Sequence, residues 1–115
     1  MTSSDEVSVE ELDFARLNGL ITVVVQDVST KDVLMVAFAN KEAILRTLKE
    51  GVAYFWSRSR KKLWMKGEIS GNIQEVERVL VDCDADAVIY LVRPRGPACH
   101  TGRQSCFYRS LKMED

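Results

Sequence analysis

Two seven-residue runs, residues 20–26 (LITVVVQ) and 33–39 (VLMVAFA), constrain the fold of this chain more than any other feature. Both are dense in β-branched and apolar side chains, the composition of strands. The polar segment Asp27-Val28-Ser29-Thr30-Lys31-Asp32 lies between them. Together they read as a hairpin with a longer loop.

Helix signals flank this hairpin. Ser8 followed by Glu11 has capping-box spacing and Asn18-Gly19 is a stop, which predicts a short helix over residues 9–17. Asn40 is placed to cap a second helix over residues 41–50, with Ala43, Ile44, Thr47 and Leu48 on one face and Gly51 at its end. Beyond it the chain turns strand-like again, over residues 52–57, 63–66, 73–81 and 87–92, with Pro94 closing the last. Residues 96–105 hold Pro, Gly and polar residues and read as a loop before a final strand over 107–111. The expected fold is α+β and strand-dominated, a mixed sheet of five or more strands with one or two helices. At 115 residues the chain is expected to form one domain over 1–115, with residues 1–7 loose. A core of that size leaves no spacious interior, so a sizeable substrate pocket belongs at the surface or between subunits.

Lys plus Arg number 16 against 17 Asp plus Glu, a net charge of −1. Such a balance gives no field for wholesale capture of nucleic acid. No apolar run approaches the roughly 20 residues of a membrane span, and the acidic start MTSSDEVSVEELD does not resemble a secretory signal. A cytosolic protein is expected. Its three cysteines then read as reduced thiols, nucleophiles or metal ligands rather than as a disulfide framework.

The chemistry concentrates in the last third of the chain: Asp82-Cys83-Asp84-Ala85-Asp86, then Cys99-His100, then Cys106. Thiolate is the preferred soft ligand of zinc, and Cys99 and Cys106 share a loop that gives them no obvious packing role. Cys83, taken alone, reads equally well as a small buried hydrophobe. Three thiolates with a fourth position open make a catalytic zinc site, whereas His100 as fourth ligand would close it as structural. His100 is also the one side chain with an ordinary pKa near neutrality, which suits a proton handler. The alternative is a surface histidine bonded to a loop carbonyl. Asp82, Asp84 and Asp86 suit a hard divalent ion such as magnesium. On a straight strand the outer pair would lie about 13 Å apart, too far for one coordination shell. Either the segment bends sharply or some carboxylates act through water.

Trp56-Ser57-Arg58-Ser59-Arg60 and the stretch from Trp64 through Lys66, Glu68 and Ser70 to Asn72 combine indoles, hydroxyls and guanidinium groups. Arginine forks suit phosphate oxygens and indoles stack on bases. The bland alternative is a basic turn with both tryptophans packed on the core. Beside a zinc site, this segment points to hydrolysis at a nucleobase, formyl or amidine carbon. Competing classes are a zinc-stabilised RNA-binding module and a nucleobase deaminase. Charge near zero and the extra carboxylates argue against the first. The second lacks its H-x-E and P-C-x-x-C signature.

Four ordered motifs, WSRSR (56–60), KGE-x-SGN (66–72), DCDAD (82–86) and GPACHTGRQSCFYR (96–109), closely resemble the phosphoribosyl-AMP cyclohydrolases of histidine biosynthesis. The resemblance runs from about Leu12 to Tyr108. It implies hydrolytic opening of the adenine ring between N1 and C6 of N1-(5-phosphoribosyl)-AMP; the mechanism expected from the residues is attack by a zinc-bound water with His100 as proton handler. It also implies zinc on Cys83, Cys99 and Cys106, magnesium on Asp82, Asp84 and Asp86, and an intertwined homodimer with the zinc site shared between chains. The expected substrate contacts are Trp56, Ser57, Arg58, Ser59, Arg60, Trp64, Lys66, Glu68, Ser70 and Arg103. This chain departs from the family pattern at Ile69, where Thr is usual, and at Met65, where several members carry His.

Overall fold

In the computed structural model, which describes residues 6–113, the two opening runs form the expected hairpin. Strand β1 (Ile21–Asp27) pairs antiparallel with β2 (Val33–Ala39). Along β1, Ile21, Val23 and Val25 are buried while Thr22, Val24 and Gln26 are half-buried, the period-2 alternation of a strand. Buried Asp27 shapes the loop, its Oδ1 accepting from the Ser29 N–H at 2.8 Å and the Thr30 N–H at 3.3 Å. Helix α1 (Lys41–Glu50) follows with the expected bounds. The Asn40 side chain accepts from the Ala43 N–H at 2.9 Å, and Gly51 at φ +74° ends the helix in the left-handed conformation that glycine adopts without strain.

A short hairpin, β3 (Tyr54–Ser57) and β4 (Lys62–Met65), precedes a long one, β5 (Gln74–Val81) and β6 (Ala87–Pro94). β6 pairs parallel with β1, so the main sheet runs β2-β1-β6-β5 and is mixed, as expected. It has four strands rather than five or more, because β3 and β4 form a separate two-stranded sheet. Helix α1 and the β3–β4 hairpin cover one face of the main sheet. Ile44, Phe55, Tyr90, Val23 and Leu34 meet there in the core. The Phe55 and Tyr90 rings lie 5.6 Å apart and tie hairpin to sheet. Buried Thr47 is a structural polar residue: its hydroxyl donates to the Ala43 carbonyl at 2.9 Å and accepts the Tyr54 N–H at 3.0 Å. The Tyr90 hydroxyl donates to the Tyr54 carbonyl at 3.1 Å, and burial pushes its pKa up to about 12.

Two expected elements do not form. The helix over 9–17 is replaced by two single 3₁₀ turns, Val9–Glu11 and Phe14–Arg16. The Ser8 N–H is held by the Glu11 carboxylate at 2.8 Å as the capping box requires. The Asp13 N–H, however, bonds the Ala85 carbonyl at 2.7 Å, docking the chain on the β5–β6 turn rather than letting it coil. The strand expected over 107–111 is absent: residues 107–113 are exposed and make no ladder. Of the loose stretch expected over 1–7, residues 1–5 lie outside the described residues. No helix among the described residues is long and apolar enough to cross a membrane.

Candidate active site

The link between β5 and β6 is a sharp turn, not a continuing strand. Ala85 adopts φ +61°, the Asp82 N–H bonds the Ala87 carbonyl at 3.1 Å, and Asp82 Oδ1 accepts from the Asp86 N–H at 3.0 Å. Oxygens of Asp82, Asp84 and Asp86 consequently lie within 4.8 Å of one another. This is the bent alternative of the two that the spacing allowed. Such a donor set of hard oxygens fits a divalent ion with ligands at about 2.1 Å after small side-chain adjustment. Arg16, which nothing in the local sequence links to this turn, donates from Nη1 to Asp84 at 2.7 Å and to Asp86 at 2.9 Å. Its hydrogen bond holds the Asp84 carboxyl below the usual range. Hydrogen bonding and repulsion from Asp84 and Asp82 push the Asp86 carboxyl up.

The Cys99–Cys106 loop is fastened to the edge of β2. The Cys106 N–H bonds the Leu34 carbonyl at 2.7 Å and the Ser105 hydroxyl donates to the Val33 carbonyl at 2.6 Å. Within the loop, the Cys99 N–H reaches the Arg103 carbonyl at 3.1 Å and the Gly102 N–H returns to the Cys99 carbonyl at 2.9 Å. These bonds fold the loop back on itself, and each of the two thiols acts on the protonation of the other. The Thr101 hydroxyl donates to Cys99 Sγ at 3.0 Å; with help from Cys106 and the Lys66 charge, this lowers the Cys99 thiol pKa. Burial, then Cys99, raises that of Cys106. Lys66 Nζ donates to the Ala98 carbonyl at 2.8 Å, so this lysine braces the cysteine loop.

Cys83 stands apart. It is exposed on the acidic turn, and among the described residues Asp82, Asp84 and Asp86 form the one tight group of three or more His, Cys, Asp or Glu ligand atoms. One chain therefore brings Cys99 and Cys106 together without Cys83. His100 follows buried Cys99 but is itself exposed.

The β3–β4 hairpin carries the aromatic and basic residues. Phe55 pairs with Trp64 across it, their rings 4.9 Å apart, and Trp56 pairs with Leu63 on the other face. Trp64 thus rests on the buried Phe55. At the tip Ser57 Oγ accepts from the Arg60 N–H at 3.2 Å and lies 3.4 Å from Ser59 Oγ. The Arg58 guanidinium sits 4.0 Å over the Phe38 ring, a cation–π contact. An open cavity of about 210 Å³ is lined by Arg60, Trp64, Met65, Glu68, Ile69 and Ser70, among others. Ile69 is 94% exposed and turned to solvent. A larger cavity, about 930 Å³, lies between residues 6–11 and β5 and holds none of the sequence-indicated residues. Its size reflects an open surface cleft, and the chemistry lies elsewhere. The KGE-x-SGN turn meets the cysteine loop directly. The Arg95 N–H bonds the Ile73 carbonyl at 2.8 Å, and a side chain on Gly96 would overlap that of Asn72. Arg103 stacks on Tyr108 at 4.2 Å near the loop's far end.

Comparison with known proteins gives the family. The family profile described as phosphoribosyl-AMP cyclohydrolase matches residues 35–108. Similar curated proteins with that name come from Cenarchaeum symbiosum, 55% identical over 92% of this chain and 98% of the relative, and Archaeoglobus fulgidus, 60% identical over 91% and 96%. Another, from Lacticaseibacillus casei, is 60% identical over 85% of this chain and 89% of its own. The chain belongs to the phosphoribosyl-AMP cyclohydrolase family, a family of hydrolases.

Proposed function

We propose that this protein opens the adenine ring of N1-(5-phosphoribosyl)-AMP by hydrolysis of the N1–C6 bond, the third step of histidine biosynthesis. The observation that carries the reading is the folded-back loop that carries Cys99 and Cys106, braced by Lys66 and adjoining the KGE-x-SGN turn, in a chain of this family. Soft sulfur donors in this arrangement fit zinc. Bound there, zinc would acidify a water for attack on C6. His100, exposed beside Cys99, takes the proton from the attacking water. The oxygen becomes the carbonyl of a carboxamide as the C6–N1 bond breaks, and N1 takes the proton back from His100 and leaves as part of a formamidine. Arg58 and Arg60 hold phosphate groups, with a divalent ion on Asp82, Asp84 and Asp86. Trp56, Trp64, Ser57, Ser59, Glu68, Ser70 and Arg103 shape the surrounding substrate surface.

The zinc ligand set takes Cys83 from a second copy of the chain, in a homodimer with two shared sites. Three observations support this reading. Cys83 does not join the other thiols within one chain. Val24, Val36, Phe38, Leu80 and Ile89 share the sheet face opposite the core by their register, and Val36 on it is 45% exposed. Phe107, Leu111 and Met113 extend exposed beyond the cysteine loop. Exposed apolar side chains grouped in this way support association with a second chain. Addition of N1-(5-phosphoribosyl)-AMP to the zinc-loaded protein should change the ultraviolet absorbance as the purine opens. An unchanged spectrum with zinc and magnesium present would refute the assignment.

A further inference from the structure

The acidic turn already holds a cation of the protein's own. Arg16 reaches it from 68 and 70 residues earlier in the chain, placing one guanidinium nitrogen 2.7 Å from Asp84 Oδ2 and 2.9 Å from Asp86 Oδ2. Its Nε lies 3.5 Å from Asp13. Those two oxygens belong to two of the three carboxylates read above as ligands of a divalent ion. A metal ion within about 2.1 Å of them would compete with that nitrogen for the same lone pairs and the same space. Both are positive, so they also repel.

We propose that Arg16 is the resident counter-cation of the Asp82–Asp86 turn, which a divalent ion displaces on binding, so that Arg16 sets the cation affinity of this site. The proposal rests on the reading of Asp82, Asp84 and Asp86 as divalent-ion ligands. The exchange requires only a side-chain swing. The Arg16 side chain is half exposed, while its backbone segment stays anchored by the Asp13 N–H to Ala85 carbonyl bond at 2.7 Å and the Gly19 N–H to Phe14 carbonyl bond at 2.6 Å. With arginine docked, like charges that would otherwise repel are neutralised before any metal arrives. With it released, the turn becomes an oxygen-lined cation site.

Titration of the zinc-loaded protein with Mn²⁺, read by the electron paramagnetic resonance of free ion, tests this without reference to turnover. Arg16→Gln keeps much of the side-chain length and removes the charge. It should bind Mn²⁺ about three- to tenfold more tightly than wild type, the scale of two lost exposed ion pairs. Arg16→Lys, which keeps the charge but not the fork, should fall between them. As a second readout, Mg²⁺ should raise the melting temperature of Arg16→Gln more than that of wild type. Equal or weaker Mn²⁺ binding by Arg16→Gln, with binding still lost in Asp84→Asn, would overturn the role of Arg16 alone. Mn²⁺ binding that is indifferent to Asp84→Asn would remove the cation site and the proposal with it.

Discussion

The two ligand clusters of this molecule are built on opposite principles. The oxygen cluster comes from five consecutive residues: one left-handed residue, Ala85, folds the β5–β6 link so that Asp82, Asp84 and Asp86 converge. The sulfur cluster is assembled from a distance. Cys99 and Cys106 share one loop that is bonded to β2 and braced by Lys66 from the β3–β4 side, and Cys83 remains on the acidic turn. A cluster made by local turn geometry is complete within one chain. One made by tertiary docking stops at two ligands and, in our reading, waits for a second chain. In that reading a single turn serves both sites, with alternate residues assigned to oxygen chemistry and to sulfur chemistry.

Separating the two clusters experimentally tests this contrast most severely at the sulfur end. Cys99→Ser should abolish turnover and leave a zinc content, read by elemental analysis, far below that of the wild type, since a site with one thiolate fewer binds far more weakly. Full activity in a zinc-free Cys99→Ser protein would remove the sulfur site from the mechanism. His100→Ala should lower kcat by about 10²–10⁴-fold with zinc retained, the usual contribution of a proton-transfer group. Zinc loss in that variant would make His100 a fourth ligand instead.

At the oxygen end, Asp84→Asn should weaken magnesium binding by about tenfold or more while zinc content stays near that of wild type. If zinc leaves instead, the two clusters are one site and the contrast collapses. The smallest effect is expected in the scaffold that supports both. Thr47→Val leaves the buried Tyr54 N–H without its acceptor and should cost about 1–3 kcal/mol of stability in denaturant melts, with metal contents unchanged.

The sequence made legible whatever depends on near neighbours. Asn40 and Gly51 bracket α1 because capping and the left-handed stop are local events. The β1–β2 hairpin, too, follows from two dense β-branched and apolar runs within twenty residues. The failures share one cause. Residues 9–17 carry start and stop signals for a helix, but the Asp13–Ala85 bond links them to a turn some seventy residues away and leaves two 3₁₀ turns. Residues 107–111 have strand composition, but within one chain they find no edge to pair with. Among candidate site residues, the carboxylate trio could be named from spacing, while its convergence depended on the φ of Ala85. Arg16 carried no local signal, because its partners are 68 and 70 positions away. The role of Lys66 as a brace for the cysteine loop was hidden in the same way.

The central claim is that the sulfur site is completed by a second chain, and a mixing experiment addresses it directly. Cys83→Ser and Cys106→Ser proteins should each be inactive as homodimers. Refolded together, they form heterodimers in which one of the two sites receives Cys83 from one chain and Cys99 and Cys106 from the other, all intact. The account predicts that activity and bound zinc both return in part, with heterodimer formation confirmed by mass spectrometry. Confirmed heterodimers that remain inactive and bind no zinc would show that each site is built within one chain, and would contradict it.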